Sequence, residues 1–194
     1  EMETRNRKAN IHWTELFHSA SASVEDNDTL AVLVNKLSTR TLFGRSISLQ
    51  DLTAGEVVEL FRAYLNDLPE PLLTNTIYED IVRLQENLTL QGHFGSWRDG
   101  VVRVLAHIPH ANRLVIIRIM GLFSVLLCGL YDEKDRTEFL TTISKKMLPI
   151  FLREMNADTK PLKEDPCCHT FIETFITHYS TIISAFAFHT EQTT

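Results

Sequence analysis

Proline is absent from the first 68 residues and occurs only six times in 194, and glycine occurs only seven times. So few breakers leave long stretches free to stay helical. Alternation of apolar and polar residues with a period of two is almost absent, which removes the usual signature of a strand; "SISLQDL" is the weak exception, read as an extended connector. The three cysteines, Cys128, Cys167 and Cys168, are odd in number and irregular in spacing. That argues against a disulfide scaffold and fits a reducing, cytoplasmic compartment. Cys167-Cys168-His169 lacks the paired Cys-x-x-Cys and His elements of a zinc site, so both cysteines read as small residues at a helix start. A basic excess is missing too: 19 Lys+Arg stand against 25 Asp+Glu, a net charge of -6. This speaks against nucleic acid as a partner.

Signatures of enzymes are also missing. There is no G-x-x-x-x-G-K-[ST], no G-x-G-x-x-G and no H-E-x-x-H. His107, His110, His169, His178 and His189 are scattered, and no metal or other cofactor is expected. Asp132-Glu133 and Glu164-Asp165 are sequence neighbours, which do not face each other on a helix, so they read as solvated surface. No repeat or low-complexity segment occurs. The opening "EMETRNRKAN" resembles no signal peptide. Residues 1–10 read as a linker or domain edge, which implies flanking domains, and residues 11–194 as one helical domain. The most apolar run, Leu114 to Leu130, is near the lower length limit of a membrane span and contains Arg118. It reads as a core helix, with no direct membrane span. Any membrane association would come through other domains.

What is present is helical spacing. Leu30, Leu33, Val34 and Leu37 form one stripe behind an Asn27 or Asp28 cap. Thr53-x-x-Glu56 is a capping box, and Val57, Leu60, Phe61, Tyr64, Leu65 and Leu68 follow on one face. Ile77, Ile81 and Leu84 mark the next helix, capped by Thr74 or Asn75. Ser96 and Asp99 suggest another capping box. Then come the apolar helix from about His110, a helix through Phe139, Leu140, Ile143 and Met147, and a final one through Phe171, Phe175, Tyr179, Ile182 and Ile183. Pro149 is expected to end or kink its helix, and "NADTKPLKEDP" is a surface loop by composition. The fold class is all-α, a single domain of seven to eight helices.

"FRAYLNDLPEPLLT", Phe61 to Thr74, is the most distinctive stretch. Leu68 and Glu70 each precede a proline and are pushed out of the helical region, so the helix must end near Asp67. Pro69 and Pro71 then hold a rigid corner, and Leu72-Leu73 can return to the core. This string resembles the RhoGAP (breakpoint-cluster-region homology) family, whose pattern reads like "LKxYLRxLPEPLLT". "VLAHIPHANRLVIIRIMGLFSVL" is similar to the family's "LPxxNRxxLxxLxxHLxxV", with Ile108-Pro109, Asn112 and Arg113 on the marked positions. "TISKKMLPIFLRE" sits where the family has "NLAxxFGPxLLR", more weakly. The resemblance covers about residues 50–155 and is not detectable before Gly55.

The resemblance implies an all-helical domain that meets a Rho-family small GTPase. In the family an arginine finger from a "GIFRxSG"-like loop neutralises charge as the γ-phosphoryl group departs, worth roughly 10³–10⁵ in rate. The corner helix adds a Lys and, one turn on, an Arg. Here the Lys falls on Arg62 and the Arg on Asn66. The family's later Asn falls on Thr142. At the finger's spacing the chain reads "SASVEDNDTLAVLV", without arginine. "TLFGRSIS" offers Arg45 instead, but 17 positions before Arg62, and Arg40 matches less well. The resemblance therefore implies a divergent member lacking the usual finger. Such a pseudo-GAP would bind a GTPase or another protein through Arg62, Asn66 and Arg45, with Leu68, Pro69, Glu70, Pro71, Leu72 and Asn112 as the structural motif. The alternative is an active GTPase activator using Arg45 as a displaced finger.

Overall fold

The computed structural model describes residues 53–152 and 166–192. Seven α-helices and one 3-10 turn account for most of them, and no strand occurs among the described residues. The chain divides into two compact units, Glu1–Pro69 and Glu70–Thr194, so the boundary falls inside the Pro-Glu-Pro corner. The stripe at Leu30–Leu37, the "SISLQDL" connector, Arg40, Arg45 and residues 156–165 of the "NADTKPLKEDP" loop lie outside the described residues, while its last residue, Pro166, opens a helix.

In the first unit the described helix is α1, Ala54–Asn66. Its capping box forms: Thr53 N donates to Glu56 Oε2 at 2.8 Å, and Glu56 N donates to Thr53 Oγ1 at 3.3 Å. Two orphan amides are thereby satisfied by two side chains. The helix stops at Asn66, where the following prolines require it, and Asp67 N closes the last turn on Ala63 O. Its apolar stripe is only partly covered. Leu60 and Leu65 are buried, whereas Phe61 and Tyr64, between them on the helix surface, are exposed. The opposite, polar side is half-covered instead. Glu59 and Arg62 neutralise each other there, which makes that burial tolerable.

The second unit starts with the corner. A 3-10 turn, Asn75–Ile77, precedes α2, Tyr78–Gln91. The expected Thr74 cap does not form, because the 3-10 turn intervenes and Ile77 occupies the N-cap, and the Asn75 side chain lies outside the description. Thr74 Oγ1 lies 3.1 Å from Thr76 Oγ1 instead. α3 runs Phe94–His107, three residues earlier than a Ser96 cap would allow. Asp99 pairs with Arg98 at 2.7 Å in place of the expected box. α4 is His110–Cys128, α5 Glu133–Phe151, α6 Pro166–Thr177 and α7 Tyr179–Gln192. Cys167 and Cys168 sit in the first turn of α6, with Cys168 buried.

α6 is central, packing on α2, α4, α5 and α7, while α3 packs on α2 and α7. Cys168, Phe171, Ile172, Phe175 and Ile176 are all buried, at the i, i+3, i+4, i+7, i+8 spacing of one wide apolar face turned into the core. Phe171 contacts both Trp97 of α3 and Phe175, with ring centroids 5.9 and 6.1 Å apart. Gly100 lets α2 and α3 approach closely, since a Cβ there would stand 2.1 Å from Leu84 Cδ2.

Two boundaries differ from the sequence expectation. Pro149 lies inside α5, which continues to Phe151. A proline in the last turn removes one amide donor, but Leu148, Ile150 and Phe151 are buried and hold the turn in register. The final apolar stretch is two helices, broken at His178. His178 N still donates to Thr174 O, and Ile182 N to His178 O, so the break is a single-residue turn. The His178 ring packs against Phe94, 4.3 Å between centroids.

α4 is the one helix among the described residues long and apolar enough to cross a membrane. It is a core helix on one side only: Ile116, Ile119, Met120, Phe123 and Leu127 are buried, while Leu114, Leu122 and Val125 are exposed on the other side.

Candidate functional site

The corner is built from backbone groups. Leu72 N donates to Ile150 O at 3.2 Å and Leu73 N to Phe151 O at 3.0 Å. The last carbonyls of a helix have no partner within it. The corner therefore supplies the missing donors for the end of α5. On the other side, Asn112 Nδ2 donates to Leu72 O at 3.2 Å. Leu72 and Leu73 are buried at 2% and 1% exposure. Pro71 is buried and Glu70 exposed. Thr74 N donates to Pro71 O at 3.1 Å, and Thr74 itself takes φ 51. That left-handed geometry is strained for a β-branched residue. Leu68, half-buried, and Pro69, exposed, belong to the end of the first unit.

Arginines close two further helix ends in the second unit. Arg113 Nη1 donates to Leu105 O at the end of α3, and its guanidinium lies 5.3 Å from the Phe186 ring centroid on α7. Arg136 Nη1 reaches Leu127 O and Leu130 O at the end of α4. Cations at helix C-termini also complement the helix dipole. These arginines are fastenings of the bundle, so the Asn112-Arg113 pair joins the corner to α3, α4 and α7.

The polar face of α1 holds the residues expected to meet a partner. Arg62 is its only cation. Arg62 Nη1 donates to Glu59 Oε1 at 2.6 Å and to Glu59 Oε2 at 2.8 Å. The two side chains are 22% and 12% exposed. Arg62 Nε is buried with no hydrogen-bond partner. Asn66, one turn on, is exposed. Glu59 does not figure among the site residues expected from sequence, although its i, i+3 spacing to Arg62 is legible there. Thr142 lies half-buried on α5.

Two shallow clefts occur in the second unit. One, of about 460 Å³, lies between α3 and α7 beside Arg98, Asp99, Arg103 and His189. The other, of about 290 Å³, lies between α2 and α3 beside Asp80, Arg83, Arg103 and His107. Arg98 and Arg83 are engaged with Asp99 and Glu79. Neither cleft assembles a nucleophile with a base, and no His/Cys/Asp/Glu group fit to hold a metal occurs among the described residues.

The model of the RhoGAP domain family matches residues 22–129, more than half of the chain. This chain belongs to the RhoGAP domain family. The match runs from before the described residues, through α1 and the corner, to the end of α4. It starts well ahead of Gly55, so the family pattern reaches further toward the N-terminus than the motif strings alone indicate, and it includes Arg40 and Arg45. α5, with Thr142 and Pro149, lies beyond it. Among solved structures, the BH domain of GRAF, the GTPase regulator associated with focal adhesion kinase, superposes with a TM-score of 0.62. The two are 15% identical over 81% of this chain and 79% of that one, a likeness of fold. No curated protein matches the chain. The all-α RhoGAP architecture is thus shared at low sequence identity.

Proposed function

We propose that this RhoGAP-family domain binds a Rho-family GTPase, or another protein, as a pseudo-GAP: it docks without supplying a catalytic arginine. It would serve as a module of a larger signalling protein in the cytoplasm. The observation that carries this reading is the state of α1. Its one cation, Arg62, is engaged by Glu59, and the position one turn later is the neutral Asn66. GTPase activation depends on cationic charge delivered to the departing γ-phosphoryl group. A domain that keeps the Pro-Glu-Pro corner while its α1 cation is engaged and the next position is neutral is suited to binding. A second reading, an active GTPase activator, is favoured by one observation: the family match includes Arg45.

Single-turnover GTP hydrolysis by Rho-family GTPases, with and without the domain, separates the two. The pseudo-GAP reading expects binding with less than about tenfold acceleration, against the roughly 10³–10⁵ of an arginine finger, and no effect of Arg45→Ala. Strong stimulation that Arg45→Ala abolishes establishes the second reading instead.

A further inference from the structure

We infer that Glu59 sets the affinity of this domain for its partner by holding Arg62 inside the surface of α1. The inference rests on the GTPase-binding reading above and adds a residue to it. Arg62 is the sole cation on α1, on the face that the binding reading assigns to a partner. One of its terminal nitrogens donates to both oxygens of the Glu59 carboxylate, at 2.6 and 2.8 Å. Its Nε is buried and unpartnered. Both side chains are mostly covered, Glu59 more than Arg62. An acidic group on a partner must therefore compete with Glu59 for Arg62, and the Glu59 charge itself repels that group. Glu stands N-terminal to Arg at i, i+3, the order that favours an intrahelical pair. Half-burial further raises the cost of opening the pair to leave either charge alone. The pair neutralises the face where a free arginine would attract an anionic surface, and removing the carboxylate turns that attraction on.

The test is a double-mutant cycle on the 194-residue chain, binding a Rho-family GTPase loaded with a non-hydrolysable GTP analogue, with thermal melts to establish that each variant folds. Glu59→Gln keeps shape and removes charge. It is expected to bind roughly fivefold tighter than wild type, the scale of a pair that no longer competes. The gain should shrink at high salt. Arg62→Ala alone is expected to bind more weakly than wild type, because it removes the cation and leaves the Glu59 charge uncompensated on that face. Glu59→Gln/Arg62→Ala should lose the gain. The Arg62 Nε–H resonance should change its exchange and shift in Glu59→Gln. Wild-type binding with no gain in a folded Glu59→Gln, or a gain that survives loss of Arg62, overturns this inference and leaves GTPase binding standing. No binding by any of the four proteins overturns both.

Discussion

Leu72 is held from two directions, with its amide on Ile150 O and its carbonyl on Asn112 Nδ2. Asn112→Ala leaves that buried carbonyl unpaired and should lower unfolding free energy by about 1–3 kcal/mol, read by urea denaturation. Asn112→Asp should cost more, because a carboxylate oxygen would face the carbonyl. Asn112 was legible through resemblance only: its partner lies 40 positions away, beyond any local pattern. The pairing of Arg62 has the opposite character. Its spacing to Glu59 is plain in the sequence, but whether such a pair is solvated or half-covered depends on packing. An i, i+3 pair forms equally well in either setting.

At the scale of elements, local chemistry was read best where it is self-contained. Thr53 and Glu56 cap α1 within four residues, and Thr53→Ala should destabilise the protein by about 1 kcal/mol, measured as a shift of the thermal midpoint. Ser96 and Asp99 show the same letters without the cap, because α3 already starts at Phe94 and Asp99 is engaged by Arg98. Pro149 was expected to end or kink its helix, and it does not end it. Burial of Leu148, Ile150 and Phe151 keeps the turn, since tertiary packing outweighs one lost hydrogen bond. The break at His178 has no proline or glycine to announce it. The periodicity of Phe171, Phe175, Tyr179 and Ile182 passes through it almost unchanged.

For the whole molecule, the all-α class followed from the scarcity of breakers and the recurring helical spacing. Which helix would be central did not. α6 and the terminal α7 look alike in composition, yet α6 contacts four other helices of its unit. Phe171 stands at that centre, 1% exposed. Phe171→Ala should cost about 3–5 kcal/mol and disturb the fluorescence of the neighbouring Trp97, followed through chemical unfolding.

The join between Leu72-Leu73 and Ile150-Phe151 also has a temporal meaning. The two strips of backbone are separated by nearly the whole of α2 to α5, so closing them requires a long loop to be ordered first. Synthesis delivers the corner well before the helix end that receives its amides. Those donors must wait, bound to water, until α5 is made and docked. Native-state hydrogen exchange should therefore place the Leu72 and Leu73 amides among the slowest in the chain, opening only with global unfolding. Fast exchange at these two positions would mean that the corner and α5 separate on their own. The same prolines that stop α1 would then keep the corner in shape during its wait, a template already bent for a helix not yet present.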